Sequence, residues 1–104
     1  MSDNVNISRW NTAEFLESQE DIDLYLEVAF ESGDPKQIAV ALGNVAKAQG
    51  MMNVASGTGL DRGHLYTSLG ENGNPTLKTI TSVMGTLGYR LAVVPTREKH
   101  QVEA

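Results

Sequence analysis

The 104-residue sequence has no cysteine, only two histidines, few aromatic residues and no long apolar run. The absence of cysteine excludes a disulfide framework, a thiolate metal site and a cysteine nucleophile. Because His64 and His100 stand far apart in the sequence, we expect no structural zinc site, and no residue pattern implies a cofactor. No apolar run approaches the roughly 18 residues that a membrane span needs. The first residues are polar and acidic, unlike those of a signal peptide, so we expect a cytoplasmic protein.

The sequence also lacks the residue patterns of common enzymes. It contains no supported Ser-His-Asp arrangement and no glycine-rich phosphate loop. The carboxylates of Glu17, Glu20, Asp21 and Asp23 offer an alternative, a metal or acid/base site. Charged residues on an exposed helix are ordinarily a solvated face, so we expect a protein that is not an enzyme.

Charge is distributed unevenly along the chain, whose formal net charge is −5. Residues 1–34 contain nine acidic residues against Arg9 alone, whereas residues 35–104 contain seven basic residues against four acidic ones. An asymmetry of this kind suggests two partners of opposite charge. A solvated acidic face with no partner is the alternative.

The apolar spacing predicts one all-α domain of five to six helices. A loose arm over residues 1–9 comes first, and a short helix capped by Asn11 or Thr12 follows it. The next helix is expected over Gln19–Glu31, with Ser18 as its cap and acidic residues in its first turn. Its buried stripe is expected to contain Ile22, Tyr25, Leu26, Ala29 and Phe30.

Two further helices follow from cap signals. Asp34 and Pro35 begin a helix that ends near Gln49 and forms the scaffold of the domain. Asn74 and Pro75 are expected to begin the last helix. Its apolar face is expected to contain Leu77, Ile80, Val83, Met84 and Leu87.

After this last helix, residues 89–95 change to a β pattern that is closed by Pro95. Because a lone strand is not stable, we expect it to pair with its dimer mate or with another protein's sheet edge. Residues 96–104 are expected to be a polar, mobile tail.

Residues 51–69 have the layout of a helix-turn-helix, in which the second helix lies in the DNA major groove. Gly59 and Leu60 make the turn, and Asp61 caps the second helix. The side chains expected to face inward are Val54, Ala55, Leu65 and Leu69. An ordinary helical hairpin is the alternative.

The outer side of the second helix supplies the candidate base-reading surface. Arg62 can donate two hydrogen bonds to guanine, Thr67 can contact a thymine methyl group or a phosphate, and Tyr66 can contact a phosphate. Asn53 is expected to bind backbone phosphate, and His64 is expected to be a partly buried spacer. The candidate DNA-binding residues are Asn53, Asp61, Arg62, Gly63, Tyr66, Thr67 and Lys78.

The helix over Gln19–Glu31 has more apolar surface than one stripe requires. Leu24 and Val28 lie off its main face and among the acidic residues. Either they pack against neighbouring helices, or this acidic, apolar segment docks a cationic protein partner.

Several short segments, taken together in order and spacing, resemble the addiction-module antidote family of prophage-type DNA-binding antitoxins. The resemblance covers residues 10–95. The matching segments are AEFL (13–16), DIDLYL (21–26), SGDP (32–35), ALGNVAKAQGM (41–51), TGLDR (58–62), LY (65–66), GNPT (73–76) and LG (87–88). The recognition helix departs from the family, which more usually has Ser at Asp61, an acidic residue at Gly63 and Lys at Thr67.

The resemblance implies a lambda-repressor-like helix-turn-helix domain with a short C-terminal strand. It also implies a protein that represses its own operon as a dimer and neutralises a small basic RelE/ParE-like (HigB-like) toxin, often an RNA-cleaving protein. An acidic segment suits a cationic toxin. The residues that we nominate for toxin binding are Glu20, Asp21, Asp23, Leu24, Glu27, Val28 and Glu31.

This interpretation divides the chain into three parts. Residues 1–34 form an acidic toxin-binding segment, residues 35–95 form the DNA-binding domain with its strand, and residues 96–104 form the tail. Two alternatives stay open, a stand-alone phage-type repressor and a protein-binding inhibitor without DNA binding.

Overall fold

The computed structural model describes residues 16–97, which form five helices. We number them α1 (Gln19–Glu31), α2 (Pro35–Gln49), α3 (Met51–Thr58), α4 (Arg62–Ser68) and α5 (Leu77–Leu87). All regular secondary structure in residues 16–97 is helical, which confirms the predicted all-α class. No helix of this part of the chain is long and apolar enough to cross a membrane. The predicted arm, the short helix that follows it and the tail beyond residue 97 lie outside the described residues.

Side-chain caps fix the beginnings of α1 and α2 where the sequence predicted them. The Ser18 hydroxyl accepts a hydrogen bond from the Asp21 backbone N–H at 3.1 Å. The Asp21 carboxylate accepts one in return from the Ser18 N–H at 3.3 Å. Asp34 accepts a bond from the Lys36 N–H at 3.0 Å, and Pro35 occupies the first helical position. Each cap satisfies a backbone N–H that the helix itself leaves free, so both helices begin at defined residues.

The core is aliphatic, and α2 lies at its centre. α2 packs against each of the other four helices, whereas α1 packs against α2 alone among the described helices. Leu42 and Val45 of α2 are fully buried, as are Val54 of α3, Leu65 of α4 and Val83 of α5. Removing these side chains from water supplies the main favourable free energy of folding. α2 is therefore the scaffold on which the other helices rest, as predicted.

Gly43 allows a close approach between α2 and the end of α4. A Cβ atom at this position would lie only 2.4 Å from the carbonyl oxygen of Leu69. Leu69 itself is buried. The missing side chain at Gly43 therefore lets α4 sit directly on the scaffold helix.

The start of α5 corrects the sequence prediction. Thr76, not Asn74, is the N-cap, and the helix begins at Leu77 instead of Pro75. The Thr76 hydroxyl accepts a hydrogen bond from the Thr79 N–H at 3.1 Å. Asn74 and Thr76 are both residue types that cap helices, and the hydrogen bond to the Thr76 side chain shows which of them is the cap.

The apolar face of α5 is also partly different from the prediction. Val83 and Met84 are buried and Ile80 packs against the core, as expected. Leu77 is 67% exposed, because it is the first residue of the helix and projects beyond the packed interior. The buried position near the start of α5 is taken by Thr79 instead.

The predicted strand over residues 89–95 is not present in the single chain. Within residues 16–97 the structure contains no β-strand, and the segment after α5 runs without regular structure. Its apolar side chains are exposed, with Val93 at 96% and Val94 at 75%. A strand needs a neighbour to accept its backbone hydrogen bonds, and the described chain offers none.

Candidate nucleic-acid and protein interfaces

A short turn joins α3 and α4, and Gly59 makes it possible. Gly59 adopts a left-handed conformation with φ of 77°, and its N–H donates to the Ala55 carbonyl at 2.9 Å. The Thr58 hydroxyl accepts a hydrogen bond from the Leu60 N–H at 3.1 Å. Glycine adopts this conformation without the strain that a side chain would cause. The turn predicted at Gly59 and Leu60 is confirmed.

A cap and two buried leucines fix α4 in place. The Asp61 Oδ2 atom accepts a hydrogen bond from the His64 backbone N–H at 2.9 Å, which confirms the predicted cap. Leu65 is fully buried, and Leu69 is 3% exposed. The leucines hold one side of the helix against the core, so the opposite side faces solvent. The rotation of α4 about its own axis is therefore defined.

The outward side of α4 is polar and accessible. Arg62, Gly63 and Thr67 are exposed, and Tyr66 between them is 48% exposed. His64 is also exposed, so its prediction as a partly buried spacer is wrong. Leu65 and Ser68 form the buried side of this seven-residue helix, and His64 lies on its exposed side.

Gly63 leaves room for the capping carboxylate. A Cβ atom at this position would lie 3.0 Å from Asp61 Oδ2, which is tighter than ordinary van der Waals contact. Glycine inside a helix costs about 1 kcal/mol relative to alanine. The space that it leaves for Asp61 offsets part of that loss.

The structure divides the predicted DNA-binding residues among three helices. Asp61, Arg62, Gly63, Tyr66 and Thr67 lie together on α4 and its cap. The other two candidates lie elsewhere. One is Asn53, exposed in the first turn of α3, which packs against α4; the other is Lys78, exposed on α5, which does not pack against α4.

The first turn of α3 has no side-chain cap at Gly50. The Asn53 Nδ2 atom donates a hydrogen bond to the Gln49 carbonyl at 3.4 Å, so the side chain reaches toward the end of α2.

The predicted helix-turn-helix segment, residues 51–69, contains few charged residues. Arg62 and Asp61 are its charged residues, with His64 beside them, so residues 51–69 carry no formal net charge.

The second candidate surface is the exposed side of α1. The helix contains five acidic residues and no basic residue. Leu24 is 61% exposed and Val28 is 60% exposed, so the alternative in which they pack against neighbouring helices is wrong for the described chain. All seven residues nominated for toxin binding are exposed on this helix: Glu20, Asp21, Asp23, Leu24, Glu27, Val28 and Glu31.

A hydrogen-bonded group that the sequence did not predict ties α1 to the segment after α5. The Tyr89 hydroxyl donates to the Asp23 carboxylate. Gln19 Nε2 donates to the Tyr89 oxygen at 2.7 Å and to Asp23 Oδ1 at 3.1 Å. The bonds from Tyr89 and then Gln19 lower the pKa of Asp23, while burial and the bond to Asp23 raise the pKa of Tyr89 to about 12. Asp23 is therefore partly engaged inside the chain.

Among the residues that the structure describes, no group of three or more His, Cys, Asp or Glu side chains is arranged to hold a metal ion. The polar face of α4 and the acidic face of α1 are the two candidate binding surfaces. Both consist of exposed side chains on helices that the core holds in place.

Comparison with known proteins gives two matches. The model of a family described as probable addiction module antidote protein matches residues 6–95. An uncharacterized protein of Haemophilus influenzae is 36% identical over 88 residues, which cover 85% of this chain and 91% of that protein. No solved structure matches the chain.

Proposed function

The chain belongs to the family of probable addiction module antidote proteins, and on that premise we propose that it is the antitoxin of a type II toxin–antitoxin module. In this function it binds and silences a small basic toxin of the RelE/ParE-like, HigB-like kind. It also represses its own operon as a homodimer that binds operator DNA. The proposed activity is binding, with no catalytic step.

The polar face of α4 carries the DNA-binding half of the proposal. The order α3, turn, α4 is that of a helix-turn-helix, whose second helix enters the major groove. Leu65 and Leu69 hold the inner side of α4, and Arg62, Tyr66 and Thr67 are exposed on the other. We expect Arg62 to donate two hydrogen bonds to guanine and its two neighbours to contact phosphate or a thymine methyl group.

Phosphate contacts from other helices complete this surface. Asn53 and the uncapped first turn of α3 can donate hydrogen bonds to a phosphate, because free N–H groups at a helix start attract anions. Lys78 adds a positive charge from α5. Since residues 51–69 carry no net charge, one copy should bind DNA weakly, and two copies are needed to hold an operator.

The test of DNA binding is a salt-titrated binding assay with the DNA upstream of the chain's own gene. Arg62→Ala should weaken binding by about 1–3 kcal/mol and relax discrimination at one base position. Arg97→Ala removes the same charge from an exposed arginine after α5 and should leave base discrimination unchanged. Equal weakening on every DNA sequence would make Arg62 a phosphate contact, and unchanged binding would reject α4 as the recognition element.

The acidic face of α1 carries the toxin-binding half. A nuclease that acts on RNA must be cationic, so a helix with five acidic residues and no basic one attracts it. Leu24 and Val28 add exposed apolar area among these charges. Acidic residues would then speed encounter, and the apolar side chains would contribute to the lifetime of the complex.

The test of toxin binding is charge removal on α1. The triple variant Glu20→Gln, Glu27→Gln, Glu31→Gln should weaken binding of the basic protein encoded by the adjacent reading frame and flatten its salt dependence. The matched control combines Asp61→Asn with Glu98→Gln and Glu103→Gln, which removes the same charge outside residues 1–34. Equal affinity of both triple variants would reject α1 as the toxin-binding element.

We assign homodimerisation to residues 89–95. Leu91, Val93 and Val94 are exposed in the single chain, with Val93 at 96%. Pairing this segment with its twin as a strand would cover those side chains and satisfy the backbone of both copies. The toxin's sheet edge is the other possible neighbour, and hydrogen exchange of residues 89–95 with and without toxin distinguishes the two.

A protein-binding inhibitor without DNA binding is the second candidate function. The observation in its favour is the lack of net charge on residues 51–69. The operator assay separates the two functions, because the inhibitor would show no preference for its own upstream DNA. A stand-alone repressor is less favoured, since it leaves the exposed Leu24 and Val28 on α1 without a role.

A further inference from the structure

Two adjacent cavities form a groove along α1, and the first of them lies between α1 and α2. The first, of about 340 Å³, is lined by Ala29 of α1 and by Val40 and Ala41 of α2, among others. The second, of about 270 Å³, lies toward the start of α1. Tyr25 and Val28 line both cavities, so the two form one continuous surface. We call this surface the α1–α2 groove.

The α1–α2 groove is held open by the fold. The Tyr25 hydroxyl accepts a hydrogen bond from Asn44 Nδ2 at 2.9 Å, which fixes the ring that separates the two cavities. Ala29 and Ala41 are buried, and their small side chains leave the first cavity unfilled. A partner would therefore meet a preformed surface, and little side-chain ordering would be needed on this chain.

The charge around the α1–α2 groove selects the kind of partner. Asp21 and Glu71 line the groove, whereas Asp23 and Glu27 of α1 line a separate cavity with Tyr89. Lys36 is the basic residue that lines the groove. A second copy of this chain is a poor occupant, because its own acidic α1 would meet this one. The surroundings favour a cationic protein.

We propose that the α1–α2 groove docks an apolar-faced segment of a basic protein, with one apolar side chain in each cavity. Basic side chains of the same segment lie over the acidic residues of α1. This inference rests on the proposed toxin binding and adds α2 to the binding surface. The key residue that it adds is Val40, which is half-buried in the wall of the first cavity.

The test fills the first cavity without changing charge. Val40→Phe should weaken binding of the adjacent-frame basic protein by about tenfold or more, since overpacking and loss of the pocket exclude the partner's side chain. The salt dependence of binding should not change, because no charge is altered. Should Val40→Phe lower the melting temperature, Gln37→Phe at an exposed position of the same cavity gives a second measurement.

The matched control is Ala48→Phe, which adds the same ring at an exposed position on α2 that lines neither cavity. It should change affinity by less than about twofold, in keeping with a substitution away from the contact. If both groove variants bind as tightly as the native chain while the α1 triple variant does not, the groove proposal is wrong and the proposed toxin binding stands. If the groove variants and the α1 triple variant all bind as tightly as the native chain, the groove proposal and the proposed toxin binding by α1 are both wrong.

Two other occupants would also overturn the proposal. A change in sedimentation of Val40→Phe in the absence of partner would show that a second copy occupies the groove. A shift in the emission of Trp10, the single tryptophan of the chain, in the same sample would show that the chain's own first residues do so. Unchanged sedimentation and emission, together with the loss of partner binding, support the docking of a separate basic protein.

Discussion

Asp61 combines two properties that substitution can separate, its hydrogen bond at the start of α4 and its negative charge beside the proposed DNA surface. Asp61→Ala removes the 2.9 Å bond and leaves the His64 N–H without its acceptor. Loss of an N-cap typically costs about 1 kcal/mol. In a domain of this size that loss lowers the melting temperature by about 4–8 °C. α4 has seven residues and too little intrinsic stability to tolerate the loss unaided.

Asp61→Asn is the matched variant, because asparagine caps helices about as well as aspartate but carries no charge. Its melting temperature should stay within about 2 °C of the native value, since the cap is retained. Its affinity for operator DNA should rise, because a negative charge near the phosphates has been removed.

Thermal unfolding followed by circular dichroism and operator binding at two salt concentrations check both expectations. Equal melting temperatures for Asp61→Ala and Asp61→Asn would refute the capping role. An Asp61→Asn variant that binds DNA more weakly than the native chain would refute the view that the carboxylate faces phosphate.

Two further predictions concern stability. Tyr89→Phe should destabilise the chain most at neutral pH: the lowered pKa of Asp23 means that its contribution is lost as pH falls through that pKa, and the raised pKa of Tyr89 means that its contribution is lost as pH rises toward about 12. Unfolding free energies of Tyr89→Phe and the native chain should be compared from about pH 3 to about pH 11, a range that includes the ordinary pKa values of Asp and Tyr. A difference that stays constant over this range would contradict the prediction. Ser68→Ala should leave stability unchanged or raise it by about 1 kcal/mol, because the buried Ser68 hydroxyl has no hydrogen-bond partner among the described residues; a clear loss in urea unfolding would show that the hydroxyl is bonded.

Helix boundaries were predictable where a local hydrogen bond sets them. Ser18, Asp34 and Asp61 each accept a bond from an N–H two or three residues later, and a short window of sequence contains both partners. The start of α5 was not predictable in this way. Asn74 and Thr76 are both good caps, and the sequence does not show which side chain accepts the N–H of Thr79.

Contacts between distant residues were the part that the sequence did not reveal. Tyr89 lies 66 residues from Asp23, and no periodic pattern connects a tyrosine after a helix-ending glycine to an acidic residue on α1. The first cavity of the α1–α2 groove is similar, because residues of two packed helices, among them Ala29 and Ala41, line it together. Exposure of Leu24 and Val28 could be proposed from the pattern, but the structure was needed to show that no other helix of residues 16–97 covers them.

The two proposed binding surfaces share one structural support. α1 packs against α2 alone among the described helices, and α4 packs closely on α2 through Gly43. α2 thus lines the proposed protein-docking groove with Val40 and Ala41 and seats the proposed DNA-reading helix two residues further on. If a bound toxin changes the affinity for operator DNA, a shift of α2 is the contiguous route for that coupling. Thermodynamic linkage then requires operator DNA to change the affinity for toxin by the same factor. If toxin still changes the DNA affinity of Val40→Phe at saturating toxin, the coupling runs elsewhere, and the proposed dimer contact of residues 89–95 is the next route to test.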